Sequence, residues 1–228
     1  SEEGSLQLWV RSSIGICHHY RQKQNFRCGK SALTSDSWSN FGLTGFYISR
    51  GNFMDLTKYI RTVPDFPEPG IMFRDVTTLF AEPVAFKAMI EQFNQKFTNI
   101  DIDYIGGIDA RGFIIGAALA LTREIGFVPV RKKGKLPYDT IAEDYALEYG
   151  TATLELHTDA VSTGSKVLIV DDLIATGGTA IAAVNLFRQL NADVVGCAFL
   201  VDLPDLGGAD KLRELDVNVT SLCAFGGH

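Results

Sequence analysis

The stretch Val167–Thr179, VLIVDDLIATGGT, sets two adjacent carboxylates, Asp171 and Asp172, between an apolar run and Ala175-Thr176-Gly177-Gly178-Thr179. Glycines allow positive φ and let the main chain approach a ligand closely. Free N–H groups at the start of the following helix, with its dipole and two threonine hydroxyls, suit one phosphate. The lysine of a G-x-x-x-x-G-K-[ST] loop is missing, which excludes a Walker-type loop. Two acids would repel a bare phosphate. They fit a ligand that also carries hydroxyls, as a ribose 5-phosphate does, with its phosphate on the loop and its 2′- and 3′-hydroxyls donating to Asp171 and Asp172. The competing reading is a helix capped by Thr176 or Thr179 beside two incidental acids.

Four other segments carry residues with chemical potential. In IDARG, Asp109, Ala110, Arg111 and Gly112 join a strand end to a helix start, where Arg111 is either solvated or aimed at an anion. In RKKGK, Arg131, Lys132, Lys133 and Lys135 place four positive charges within five residues of an acidic chain. Such a run is often a solvated face, but with Gly134 it also suits a lid that closes on a polyanion and excludes water. In IMFRD, Phe73 is either core or a stacking surface. In LEYG, Glu148 is either a surface strand residue or an acid/base next to Tyr149.

These segments need a scaffold, and the pattern supplies one. MDLTKYIRTV, from Met54, reads as helical. EPVAFKAMIEQFNQKF reads as a helix with Pro83 in its first turn and Phe86, Met89, Ile90, Phe93 and Phe97 on one stripe. DYIGGID, FVPVRK, KVLIVD and DVVGCAFLVDL read as strands, several apolar throughout. RGFIIGAALALTREIG and Gly178–Leu190 read as helices. TATLELHT alternates as a half-buried strand should, and Arg131–Tyr145 reads as a polar loop. Strands alternating with helices imply an α/β fold, a mainly parallel twisted sheet with helices on both faces. In such sheets ligands bind beyond the carboxyl ends of the strands, where Asp171 and Asp172 fall.

The totals set limits. The 228 residues are enough for one domain. Net charge −6 argues against a general nucleic-acid partner. No apolar stretch is long enough for a membrane span, and no secretory pattern is seen. Cys17, Cys28, Cys197 and Cys223 lack framework spacing, which fits a reducing compartment and a cytoplasmic location. Residues 1–53 hold six basic and three acidic residues and show no sustained period; they read as an irregular extension of unknown role. Residues 54–228 read as the working domain. Cys17, His18, His19 and Cys28 match no zinc spacing.

VLIVDDLIATGGT resembles the phosphoribosyl-diphosphate signature of type I phosphoribosyltransferases. PDFPEPGIMFRD (Pro64–Asp75), DYIGGIDARGFIIG and RKKGKLP…YALEYGTATLEL are similar to the base-binding segment, the pyrophosphate loop, and the flexible loop with the strand after it, of that family's adenine-using branch. The resemblance spans Asp55 to Phe199 and weakens after Leu203. It implies the family fold with a small N-terminal hood and a flexible lid loop. It implies transfer of the 5-phosphoribosyl group from phosphoribosyl diphosphate to adenine, giving AMP and pyrophosphate, in purine salvage. Phosphoribosyl diphosphate would contact Asp171, Asp172, Ala175, Thr176, Gly177, Gly178, Thr179, Asp109, Ala110, Arg111, Arg131, Lys132, Lys135 and Tyr149. By the same resemblance, Asp109–Ala110 carries a non-proline cis bond, Arg111 binds the leaving pyrophosphate, Lys135 reaches the diphosphate within its own subunit, and Arg131 reaches a neighbour's site in a homodimer. Phe73 stacks on adenine while the backbone at Met72 and Arg74 reads its edge. Glu148 is the acid/base. Mg²⁺ is expected to be carried by the substrate, with no direct protein ligand. Ala175, where 6-oxopurine relatives carry an acid, favours adenine over hypoxanthine or xanthine. A phosphoribosyl-diphosphate-sensing regulator would call for a basic helix-turn-helix in residues 1–53, and none is seen.

Overall fold

The structure, a computed structural model, describes residues 53–147 and 150–227, all within the unit Gly51–His228. A seven-stranded sheet forms its centre, in the order β5-β6-β4-β3-β7-β8-β9. Strands β3 (Tyr104–Ile108), β4 (Gly126–Lys132), β7 (Lys166–Ile174), β8 (Asp193–Asp202) and β9 (Val219–Ala224) run parallel. Strands β5 (Thr140–Leu147) and β6 (Gly150–His157) form an antiparallel hairpin that joins the sheet through β4. The apolar strands alternate between two cores. Leu168 and Val170 of β7 face one, and Val167 and Ile169 face the other, each nearly fully buried.

Helices cover both faces, as the strand pattern implies. Helices α1 (Thr77–Ala81), α2 (Pro83–Lys96) and α3 (Arg111–Arg123) pack on the first core through Leu79, Met89, Phe93, Ile115 and Leu119. Helices α4 (Gly178–Gln189) and α5 (Gly208–Glu214) pack on the second through Val184, Leu186, Phe187 and Leu212. Pro83 opens α2, and the Glu82 side chain caps it by accepting from the Val84 N–H.

Two segments differ from their sequence reading. Residues 54–63 form only a 3₁₀ turn, Leu56–Tyr59, followed by strand β1 (Arg61–Pro64), rather than a helix. Asp55 caps the turn, and beyond it Arg61, Thr62 and Val63 pair antiparallel with β2 (Met72–Asp75). A partner strand plus β-branched residues outweighs a short helical period. This two-stranded ribbon is the small N-terminal hood. Likewise Arg131–Tyr145 is not one loop. Arg131 and Lys132 end β4, residues 133–139 turn, and Thr140–Tyr145 belong to β5, where pairing with β6 satisfies the backbone.

Candidate active site

The strand order reverses between β3 and β7: β4 lies on one side and β8 on the other. That switch point is where an open α/β sheet leaves a crevice, and two expected segments meet there. At the end of β3, the Asp109–Ala110 peptide is cis, as the family resemblance implied, and α3 starts at Arg111. At the end of β7, Asp172 is buried, and its Oδ2 accepts from Arg111 Nε at 2.5 Å. The Asp172 side chain is 6% exposed and that of Arg111 48%. Asp171 Oδ1 accepts from the Asp172 N–H at 2.8 Å. Burial, and then the charge of Asp172, push the Asp171 carboxyl well above the usual carboxylate range. Burial alone would lower the Arg111 pKa, but the hydrogen bond and charge of Asp172 outweigh it and raise the value.

The two acids have different settings. Asp171 lines a cavity of about 170 Å³ together with Leu173–Ala180 and Phe199. Asp172 is instead turned onto Arg111, because a carboxylate this buried must be paired. A guanidinium has five N–H donors, and Asp172 takes only the Nε–H, which leaves the four N–H groups of the terminal nitrogens for another acceptor.

The loop itself departs from a simple helix cap. Gly177, at φ +86°, is the N-cap of α4, and no side chain caps that end, neither Thr176 nor Thr179. The first-turn N–H groups thus stay available to an anion. Thr176 is exposed, Ala175, Gly178 and Thr179 are partly exposed, and Gly177 is buried.

Arg131 is held within its own chain: Nε donates to Asp109 Oδ2 at 2.9 Å, and the guanidinium lies 5.6 Å from the Phe113 ring centre. Lys132, Lys133 and Lys135 are exposed. Gly134 N–H donates to Glu155 Oε2 at 2.8 Å, which explains why Glu155, on the nominally polar face of β6, is 9% exposed. Glu148 and Tyr149 lie outside the described residues.

On the hood, Phe73 is half-buried and meets Phe66 edge-on at 5.1 Å, while Phe66, Ile71 and Met72 are exposed. Phe73 is therefore not core. Arg74 is anchored through Thr62 Oγ1 at 2.6 Å and over the Phe225 ring at 4.5 Å.

Sequence reasoning missed several residues around the loop. Glu143 of β5 accepts from Asn185 Nδ2 at 2.8 Å and Gln189 Nε2 at 2.9 Å, tying the hairpin to α4. Asn185 and Gln189 are four apart on one helix face, which was the legible signal. Gly208 and Lys211 touch the back of the loop; their signal was a second glycine pair, Gly207-Gly208, before a short helix. Among the described residues no group of three or more His, Cys, Asp or Glu clusters as a metal site. No described helix is long and apolar enough to cross a membrane.

A family model for the phosphoribosyl transferase domain matches residues 75–222. The chain is 58% identical over 172 residues to the adenine phosphoribosyltransferase of Dinoroseobacter shibae, covering 75% of this chain and 96% of that protein. It is similar to the crystal structure of adenine phosphoribosyltransferase from Rhodothermus marinus, with 50% identity and a TM-score of 0.70 over 75% of this chain and 96% of that one. The Saccharomyces cerevisiae adenine phosphoribosyltransferase, complexed with an imino-altritol bisphosphate and adenine, is 41% identical with a TM-score of 0.69, over 73% and 96% of the two chains.

Proposed function

The chain belongs to the adenine phosphoribosyltransferase family, and from that premise we propose which of its residues carry the reaction. It transfers the 5-phosphoribosyl group from phosphoribosyl diphosphate to adenine, giving AMP and pyrophosphate, a purine-salvage reaction. The observation that carries the residue assignment is the Arg111–Asp172 contact at 2.5 Å, which brings the pyrophosphate loop beside the ribose strand.

In this reading the Ala175–Thr179 loop holds the 5′-phosphate and Asp171 holds the ribose hydroxyls. Asp172 fixes Arg111 by its Nε, and the terminal nitrogens of Arg111 grip the diphosphate. Lys132 at the end of β4 and Lys135 in the turn after it add charge, and Ala110 contributes backbone. Phe73 stacks on adenine while main-chain groups at Met72 and Arg74 read its edge. Adenine N9 attacks C1′, the C1′–O bond breaks, and pyrophosphate leaves with the electron pair. Glu148 handles the proton released from the adenine ring, and Tyr149 lines the same site. Both assignments rest on the family resemblance. The contribution is mainly positioning and electrostatics at the place where negative charge develops.

Mg²⁺ is proposed to arrive with the diphosphate, carried by the substrate's oxygens rather than by direct protein ligands, with Asp171 on the adjoining cavity wall. When bound, such an ion neutralises charge on the leaving group. A second copy of the chain is the proposed partner. Ile114, Ala117 and Leu121 form an exposed stripe along α3, with Leu121 79% exposed, beside the Phe113–Arg131 contact. We place residues 1–53 outside the catalytic domain, because they carry no sustained period and the 172 residues shared with the Dinoroseobacter shibae protein cover 96% of that protein but only 75% of this chain.

The test is formation of the corresponding nucleoside 5′-monophosphate and pyrophosphate from each of adenine, hypoxanthine, guanine and xanthine, with Mg²⁺ and with EDTA, run on the whole chain and on residues 54–228. Adenine-only, EDTA-sensitive turnover that survives truncation is expected. An inactive truncation would return residues 1–53 to the site.

A further inference from the structure

We infer that the segment Gly207–Lys211, past the point at which the motif resemblance weakens, templates the phosphate loop from behind, with Lys211 as a positioning residue for the 5′-phosphate. The inference rests on the reading that Ala175–Thr179 binds that phosphate.

Two consecutive loop carbonyls are held by this segment. The Gly208 N–H donates to Ala175 O at 3.0 Å, and Lys211 Nζ donates to Thr176 O at 3.0 Å. In a planar trans peptide the C=O and the following N–H point to opposite sides. Drawing the Ala175 and Thr176 carbonyls backward therefore turns the N–H groups of Thr176 and Gly177 to the other side. That side is the cavity, since its lining includes Ala175–Ala180 and none of Gly207–Lys211. Successive N–H groups turned one way form an anion-binding concavity.

Position 208 admits no side chain. A Cβ there would overlap the Ala175 carbonyl oxygen and lie 2.6 Å from Gly177 N and 2.9 Å from the Thr176 carbonyl carbon. All three are backbone atoms of the loop, so the loop would have to move. From the other side, a Cβ on Gly177 would come within 3.0 Å of Gly208 Cα and O. The two glycines let the backbones touch. Lys211 is free to serve the loop, because the neighbouring Asp210 carboxylate is taken by Arg213 at 2.6 Å. In a chain of net charge −6 whose loop lacks a Walker lysine, Lys211 supplies positive charge next to the loop backbone.

Binding of ribose 5-phosphate by calorimetry tests this on the full chain with Lys211→Met, Lys211→Arg, Gly208→Ala and the loop control Thr179→Ala. Lys211→Met should bind about tenfold more weakly, with an unchanged melting temperature and an unchanged KM for adenine, and Lys211→Arg should recover most of the loss. The gain in native affinity as the phosphate loses its second proton, near pH 6, should shrink in Lys211→Met. Gly208→Ala should lose binding further. Native-like binding by Lys211→Met while Thr179→Ala fails to bind would overturn the proposal alone, and so would a loss that arginine does not restore. Native-like binding by Thr179→Ala would overturn the loop reading on which it rests.

Discussion

Replacing Arg111 with lysine separates two duties that one guanidinium performs. In the native chain Nε serves Asp172, whose side chain is 6% exposed, and four further N–H donors remain for the diphosphate. A lysine has a single ammonium head and must choose. Leaving a buried carboxylate unpaired costs about 3–5 kcal/mol when the partner is also buried, and less here because the Arg111 side chain is 48% exposed. Losing a charge-assisted hydrogen bond to the ligand costs about 1.5–3 kcal/mol. The ammonium should therefore stay with Asp172. The expected variant melts close to the native temperature, while its KM for phosphoribosyl diphosphate rises about 10- to 150-fold. Steady-state kinetics with phosphoribosyl diphosphate varied at saturating adenine, alongside thermal melts, read both quantities. Unchanged KM with an unchanged melt would show that Arg111 does not grip the diphosphate. A melt lowered by many degrees would show that the Asp172 pairing needs the guanidinium itself.

Phe73→Ala should raise the KM for adenine about 5- to 150-fold, from a stacking contribution of about 1–3 kcal/mol, with little loss of stability because Phe73 is only half-buried; an unchanged adenine KM would remove its role. Glu148→Ala should lower kcat by about 10²–10⁴-fold while ribose 5-phosphate still binds in calorimetry, and native turnover would cancel the assignment. Asp75 is held down to about 2 by the Thr77 hydroxyl, by Arg61 and by the Thr77 N–H. Its folded pKa lies below the unfolded one, so its stabilisation is complete above the ordinary value of 3.8 and is lost as pH falls through about 2. Urea midpoints of native and Asp75→Asn chains should accordingly converge toward pH 2 and differ by a constant amount above about pH 5. A gap that widens in acid would reverse that sign.

Local chemistry and periodicity were enough to read the parallel sheet, the helices on its two faces and the Asp-Asp-x-x-Ala-Thr-Gly-Gly-Thr loop, because strand runs and glycine turns are written in neighbouring residues. The fold of the hood was not legible: the strand character of Arg61–Pro64 depends on pairing with Met72–Asp75, eight or more residues away. Thr140–Tyr145 was misread as loop for the same reason, since its partner is β6.

The types of groups at the site were in the sequence by itself: a phosphate loop, two acids, a basic run and an aromatic on the hood. Their allocation was decided only in three dimensions. Asp172 goes to Arg111 across 61 residues, Arg131 to Asp109 across 22, and Lys211 to the Thr176 carbonyl across 35. Pairings at such separations follow from strand order and helix placement, which burial of the two apolar cores determines. A buried charge takes whatever partner that packing leaves within reach.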